Sequence, residues 1–367
     1  MFLVFNLTEA KQGNVDYKKE LENLIETVIQ EGGSDIHLSA GSHPTIRIEG
    51  PLIPLLKKER LTAEDTLGFI SVLLTPKQKE EFLKSQEIDF SYSYKNNARF
   101  RGNGYVQRGT VGIALRLIPT KIKTLKELGI PPIVGTFTQK KQGFFLIVGP
   151  VGQGKSTTLA ALIEMINTER ASHVVTIEDP IEFLFDGKKS IIEQREVKID
   201  TKDFQTALRS AFRQDIDVLM VGEMRGTETI STAVTASETG HLVFSTLHTN
   251  NGPQTIDRII DTFPAEQQQQ IRIQLAGSLL GIFSQRLLPR ISGGLIPVYE
   301  LLLNNNAVAN LIREKRTHEI NTLIETGSES GMIDMNRTIV ELVRKGEITA
   351  ETAFSYAWNP KALERLL

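Results

Sequence analysis

The chain has 367 residues, 40% of them hydrophobic and 23% charged, the proportions of an ordinary globular protein long enough for two or three domains. Its 42 Lys and Arg nearly cancel its 44 Asp and Glu, so no overall field draws nucleic acid. It has no cysteine, which excludes disulfides, thiol catalysis and a four-cysteine zinc site and fits a reducing compartment.

Residues 1–16 read as an N-terminal extension whose opening Met1-Phe2-Leu3-Val4-Phe5 is too short for a secretory apolar region. No apolar run approaches the roughly 18 residues of a membrane span. The expectation is a cytoplasmic protein without direct membrane insertion, whose membrane association runs through a partner. Tyr17 to Gln30 predicts an amphipathic helix with Leu21, Leu24, Ile25, Val28 and Ile29 on one face, stopped by Gly32-Gly33. Ser34-Asp35-Ile36-His37-Leu38 opens a strand-and-turn region that Thr45 to Gly50 continues. Leu61 to Leu83 is helical in pattern, interrupted at Pro76. Ile88 to Tyr94, Ala98 to Gln107 and Val111 to Ile118 predict a meander of strands. Residues 17–118 thus form a small α+β domain. Residues 119–135, with three prolines and few bulky side chains, are the expected linker.

From Gln142 the pattern alternates strand and helix, as in a parallel sheet covered on both faces; residues 136–304 form this α/β core. Phe144 to Val148 predicts a buried strand, and Ser156 to Arg170 a helix with Leu159, Leu162, Ile163 and Ile166 on one face. Between them lies Gly149-Pro150-Val151-Gly152-Gln153-Gly154-Lys155-Ser156, followed by Thr157, a match to G-x-x-x-x-G-K-[ST]. The glycines let backbone N–H groups turn toward a polyphosphate. Lys155 reaches the β- and γ-phosphates, and the Ser156 hydroxyl ligates Mg²⁺. Strand, glycine loop and helix together aim a helix N-terminus at an anion, so the chain is expected to bind a nucleoside triphosphate with Mg²⁺.

Two acidic strand ends follow. His173 to Glu178 runs into Asp179-Pro180-Ile181-Glu182, and Asp217 to Glu223 is an apolar strand ending in a carboxylate, the Walker B pattern. One acid is needed to hold Mg²⁺ or its waters, and one to orient and deprotonate an attacking water. Between them Asp203 to Gln214 predicts a helix whose Arg209 and Arg213 are either solvated charges or functional groups. Thr235 to Thr249 carries His241 and His248 around a third apolar strand. A histidine at a strand end can sense a γ-phosphate or serve only as a structural residue. After Asn304, residues 305–367 are helical in pattern.

These segments together, Ser34 to Leu38, Gly149 to Thr157, Thr176 to Phe183, Val221 to Arg225 and Thr235 to Thr249, resemble the secretion and pilus ATPases of the type II and type IV systems. Within that family the chain looks most like the branch that retracts type IV pili. The resemblance implies a PAS-like N-terminal domain over residues 17–118, a RecA-like ATPase core and a homohexameric ring. It also implies an ATP-driven motor peripheral to the cytoplasmic face of the inner membrane at the pilus base, with a platform protein as partner and an antagonist extension ATPase. Carried over residue by residue, it makes Glu182 the general base, with Glu178 and Asp179 as supporting acids. It makes Glu223 the Walker B acid and metal ligand beside Ser156, puts His241 and His248 in the histidine box, and has Arg101 and Arg116 reach the neighbouring subunit's ATP. As bare sequence, Arg99 and Arg101 alternate with apolar residues and pass as the solvent side of a strand.

This chain departs from the family at Gly226, where Asp is usual, and at Ile216, where Pro is usual. Ala307-Val308-Ala309-Asn310-Leu311 lacks the arginine of the retraction branch's late signature. The alternatives are a pilus assembly or type II secretion ATPase, disfavoured by the missing four-cysteine insert, and an accessory ATP-binding ring with weak turnover.

Overall fold

The computed structural model describes residues 15–48, 50–95, 98–119, 121–224 and 226–367. The chain divides into two compact units, one up to residue 120 and one from residue 121. The expected extension therefore falls almost wholly outside the described residues, as do Glu49, Asn96, Asn97, Thr120 and Arg225.

The first unit packs three helices on a six-stranded sheet. Helix α1, Tyr17–Gln30, starts where the Asp16 carboxylate accepts from Lys19 N, and it buries Leu21, Leu24, Ile25 and Val28. Helices α2, Ala63–Leu73, and α3, Pro76–Ser85, replace the single interrupted helix expected over 61–83. Each begins with a reciprocal capping box, Thr62 with Asp65 and Thr75 with Gln78. Pro76 occupies the first turn of α3, where its missing N–H costs nothing, so it starts a helix. Strands β1 (Asp35–Ser39), β2 (Thr45–Arg47), β3 (Leu52–Pro54), β4 (Glu87–Tyr94), β5 (Ala98–Gln107) and β6 (Thr110–Ile118) pair antiparallel in the order β3-β2-β1-β6-β5-β4. Phe100, Ile36, Ile113 and Phe69 sit in the core between sheet and helices.

The second unit is built on a seven-stranded sheet. Its strands are β7 (Gly143–Val148), β8 (His173–Glu178), β9 (Ile191–Glu196), β10 (Val218–Val221), β11 (Leu242–Leu247), β12 (Leu279–Pro289) and β13 (Leu295–Leu303). They lie in the order β13-β12-β7-β11-β10-β8-β9. All pairs are parallel except β12 with β13. Strand β7 is buried along its whole length, with Phe144, Leu146 and Val148 in one core and Phe145 and Ile147 in another. That alternation is why the strand reads as a continuous apolar run. Helices α4 (Pro132–Gly135), α5 (Lys155–Glu169), α6 (Phe204–Ala211), α7 (Thr227–Glu238), α8 (Gly252–Asp261) and α9 (Ala265–Ser278) cover the faces. The chain ends in α10 (Asn306–Arg313), α11 (Ile320–Thr326), α12 (Met335–Arg344), α13 (Ala350–Tyr356) and α14 (Pro360–Leu366). The last three close a small core around Leu288, Val298, Ile339 and Leu363.

The linker expected over 119–135 is corrected for most of its length. Leu125, Ile130 and Val134 are buried against Phe145, Phe137 and Leu162. Their prolines mark turns and the start of α4 rather than a loose tether, because apolar residues spaced between them reach the sheet. Among the described residues no helix is long and apolar enough to cross a membrane.

Phe100 is fully buried in the first unit's core. Phe100→Ala is expected to destabilise that unit by about 3–5 kcal/mol, the cost of an unfilled aromatic site. Urea unfolding of the full chain measures this; a loss under about 1 kcal/mol would mean the core collapses around the gap.

Candidate functional site

Strands β12, β7, β11, β10 and β8 are neighbours and run the same way, so the loops leaving their C-terminal ends meet in one crevice. The glycine loop leaves β7 with Gly149, Gly152 and Gly154 at φ of 148°, 77° and 76°. At Gly149 the glycine is obligatory twice over, because an added Cβ would lie 2.2 Å from the Gln285 carbonyl oxygen. Helix α5 opens at Lys155, capped by Gly154 with no side-chain bond to its first turn.

Lys155 is 7% exposed. Its ammonium donates to the carbonyls of Gly149 and Pro150, each at 2.8 Å, and lies 3.2 Å from His248 Nδ1. Burial pulls its pKa down, and the carboxylates of Glu182 and Glu223 partly restore it. His248 leaves β11, the strand between β7 and β10, and its Nε2 is 3.7 Å from Glu223 Oε2 at the end of β10. Lys155, His248 and Glu223 therefore form a line across three adjacent strand ends.

The acidic loop after β8 is held by buried side chains. Glu178 accepts from the Thr176 hydroxyl at 2.7 Å, from Gln194 Nε2 at 3.3 Å and from the backbone N–H of Glu182 at 3.4 Å. Across the ladder from it, Glu196 accepts from Ile181 N at 3.3 Å, and Gln194 Oε1 from Phe185 N at 3.0 Å. Three loop N–H groups thus end on side chains of β8 and β9, and this leaves the Glu182 side chain exposed at the crevice while Glu178 is buried. Asp179 is exposed on the same loop.

Strand β12 supplies contacts that the sequence did not announce. Gln285, 3% exposed, accepts from the Thr158 hydroxyl at 2.7 Å and donates to the Gln153 carbonyl at 2.8 Å. Leu287 N donates to Gln153 Oε1 at 2.7 Å. The next side chain, Arg286, points elsewhere: it donates to Asn250 Oδ1 at 3.2 Å and to the Tyr356 carbonyl at 3.5 Å, and stacks 5.3 Å from the Trp358 ring. No motif flags these residues, because their partners are more than sixty positions away or lie within loops.

His241 does not join the crevice. It precedes β11, whereas His248 follows it, and seven extended residues span about 20 Å. Its Nδ1 lies 3.1 Å from the Ala236 carbonyl and its ring meets Phe212 edge-on, the marks of a packed structural histidine. Arg209 and Arg213 are exposed at the end of α6. Arg101 and Arg116 belong to the first unit, where they face each other across β5 and β6. Arg116 donates to Asp35 Oδ1 at 2.9 Å, and Arg47 lies 3.7 Å from the other oxygen. Burial would raise the Asp35 pKa, but the Ser34 hydroxyl and Arg116 outweigh it and hold the carboxyl below its usual range. Arg116 is thereby oriented while its side chain stays 70% exposed. Gly226 is the N-cap of α7 and gives it no side-chain bond. Ala309 is buried in α10 among the core residues of the second unit, so the chain places packing where the resembled branch has a charge.

A G-x-x-x-x-G-K-S loop at the carboxyl ends of a parallel sheet, with a carboxylate and a histidine on the next strands, defines a phosphate-binding α/β protein. The chain belongs to the type II/IV secretion system protein family, whose model matches residues 10–354. It is 41% identical over 346 residues to the type IV pilus retractation ATPase PilT of Pseudomonas aeruginosa, covering 93% of this chain and 99% of that one. It is 39% identical over 349 residues to the type IV pilus ATPase PilU of the same organism, covering 95% and 91%. Its fold matches the crystal structure of the pilus retraction motor PilT with bound ADP at a TM-score of 0.88 and 46% identity, over 94% of this chain and 99% of that one.

Glu178, and Glu300 on β13, are both pushed up from 4.5 to about 7, burial being the largest cause. Such a carboxyl keeps its proton in the fold after the unfolded chain has lost it, so each reduces stability as pH rises from about 4.5 to about 7, and no further above that. Glu300 accepts from Gly252 N at 3.0 Å and Ser284 Oγ at 3.2 Å, bonds an amide oxygen can also accept. Glu300→Gln is expected to narrow the gap in melting temperature between pH 5 and pH 8, by roughly 2–4 °C per kcal/mol recovered. An unchanged gap would assign the pH dependence to other groups.

Proposed function

We propose that this chain is an ATP-hydrolysing motor that powers retraction of type IV pili and hence twitching motility. The observation that carries the reading is the Lys155 ammonium, buried in the glycine loop, hydrogen-bonded to the loop carbonyls of Gly149 and Pro150 and placed beside the His248–Glu223 pair. A charge so placed is ready to exchange carbonyl contacts for the β- and γ-phosphates of ATP. The first unit is then a PAS-like domain over residues 17–118, and the second holds a RecA-like ATPase core over 136–304, preceded by the buried segment 121–135 and followed by the helical region 305–367.

The residues present fit Mg²⁺ as well. Among the described residues no group of three or more His, Asp or Glu forms a metal cage, and Mg²⁺ bound with a triphosphate needs only one or two protein oxygens. Ser156, in the first turn of α5, and Glu223 would hold it, and when bound it neutralises charge on the phosphates. Within the loop Gly149 to Thr157, the residues from Val151 onward present backbone N–H groups to the phosphates, Pro150 having none and Gly149 donating to the Leu247 carbonyl, and Lys155 binds the β- and γ-oxygens. Glu182, poised by the Glu178 bond to its N–H, takes the proton of the attacking water. His248 donates toward the γ-phosphate and reports its loss to Glu223. Arg101 and Arg116 act in trans, as planar charged forks on a neighbouring subunit's nucleotide. That arrangement requires a ring, and the reading is a homohexamer at the cytoplasmic side of the inner membrane, working on a platform protein at the pilus base and opposed by an extension ATPase.

Deleting the gene tests the physiological reading: excess pili that do not retract support it, and loss of pili would reassign the chain to assembly. Lys155→Ala is expected to abolish turnover and weaken ATP binding, whereas Glu182→Gln keeps ATP affinity and lowers kcat by about 10²-fold or more. Unchanged turnover in Glu182→Gln would move the base to Glu178 or Glu223. In mixed rings, Lys155→Ala chains and Arg101→Ala/Arg116→Ala chains, each inactive alone, are expected to recover part of the activity. Assembled mixtures with no recovery at any ratio would place the arginines outside the site.

A further inference from the structure

We infer that Gln285 is a positioning residue for the glycine loop, one that sets ATP affinity without taking part in hydrolysis. The inference rests on the reading of that loop as the ATP site. Gln285 is buried and its carboxamide bonds join the glycine loop to the first turn of α5. Its oxygen accepts from Thr158 Oγ1 at 2.7 Å, in the first turn of α5, and its nitrogen donates to the Gln153 carbonyl at 2.8 Å, inside the loop. Its own backbone oxygen stands where a side chain on residue 149 would have to go, and its side-chain Nε2 is 2.9 Å from where one on Gly154 would be. Two residues on, Leu287 N closes the ring by donating to Gln153 Oε1 at 2.7 Å.

A glycine loop is soft, and N–H groups bind an oxyanion well only when they already converge. The Gln153 carbonyl faces away from that convergence point when it accepts from Gln285, because the two ends of a peptide plane point oppositely. The bond therefore fixes the peptide between Gln153 and Gly154 with its N–H on the other side. Thr158 ties the helix end to the same carboxamide, so loop and helix are held as one piece against β12. An amide does both whatever its protonation, offering an acceptor and a donor side by side, where an ionised carboxylate would repel the Gln153 oxygen.

The test measures binding and turnover of the full chain with ATP and with a fluorescent ADP analogue. Gln285→Ala is expected to raise the ADP-analogue Kd and the ATP KM by about tenfold, the weight of buried partners left unpaired, while kcat stays within about threefold. Gln285→Glu, which keeps size and the Thr158 acceptor, is measured at pH 9 so that the carboxyl is ionised, and is expected there to lose at least as much affinity. Thr158→Ser, which keeps the hydroxyl, is expected to behave as the native chain, and Thr158→Val to follow Gln285→Ala in part. Unchanged Kd in Gln285→Ala, or native affinity in Gln285→Glu, would overturn the inference. So would a fall in kcat without a change in Kd. If Gln285→Ala does not fold, Gln285→Glu and the Thr158 pair decide alone. Failure of the native chain to bind the ADP analogue would overturn the ATP-site reading instead, a separate result.

Discussion

Lys155 is a cation in a place that water barely reaches, and the second unit is arranged around making that tolerable. An ammonium withdrawn from solvent must find acceptors or lose its proton. Here two carbonyls come from the loop itself, a ring nitrogen from the next strand, and two carboxylates stand near enough to favour the charge. Apart from the two loop carbonyls, of Gly149 and Pro150, these partners come from separate stretches of the chain. They meet because β7, β11, β10 and β8 are parallel neighbours whose C-terminal ends open on the same side of the sheet.

The strands carry the burden of precision because the loops cannot. Residues after β8 lack a regular hydrogen-bond ladder, and side chains of β8 and β9 take three of their N–H groups. The glycine loop is treated alike from the other side by β12. In the first unit the same device recurs with charge: Asp35 at the start of β1 fixes Arg116 on β6, one strand over. Irregular segments in this protein are shaped by polar side chains that reach out from regular ones.

Much of this was legible in the sequence. The apolar run from Phe144 to Val148, the glycine spacing and the carboxylate ends at Glu178 and Glu223 depend on local pattern, and local pattern is what periodicity reads. Helix α1 and the β4 to β6 meander were read close to their bounds for the same reason. What local pattern hides is pairing across distance. Gln285 looks like any polar residue, and it gains its role only because β12 returns beside β7. His241 was a candidate because it flanks the same apolar strand as His248 and falls in the histidine box of the resembled family, yet the strand puts the two at opposite ends. Residues 125–134 looked like a tether because proline content masked three buried apolar side chains.

Strand β12 also shapes how this sequence can change over time. Arg286 is gripped at one end by Asn250, two residues past His248, and at the other by the Tyr356 carbonyl and the Trp358 ring. The last helices look remote enough to drift freely, and most of their surface is. Position 358 is not. A lineage that replaces the tryptophan uncovers a guanidinium whose other hand rests on the histidine loop, so changes at 250, 286 and 358 are expected to travel together through descent. The tail of the chain is thereby tied, contact by contact, to the loop that carries His248.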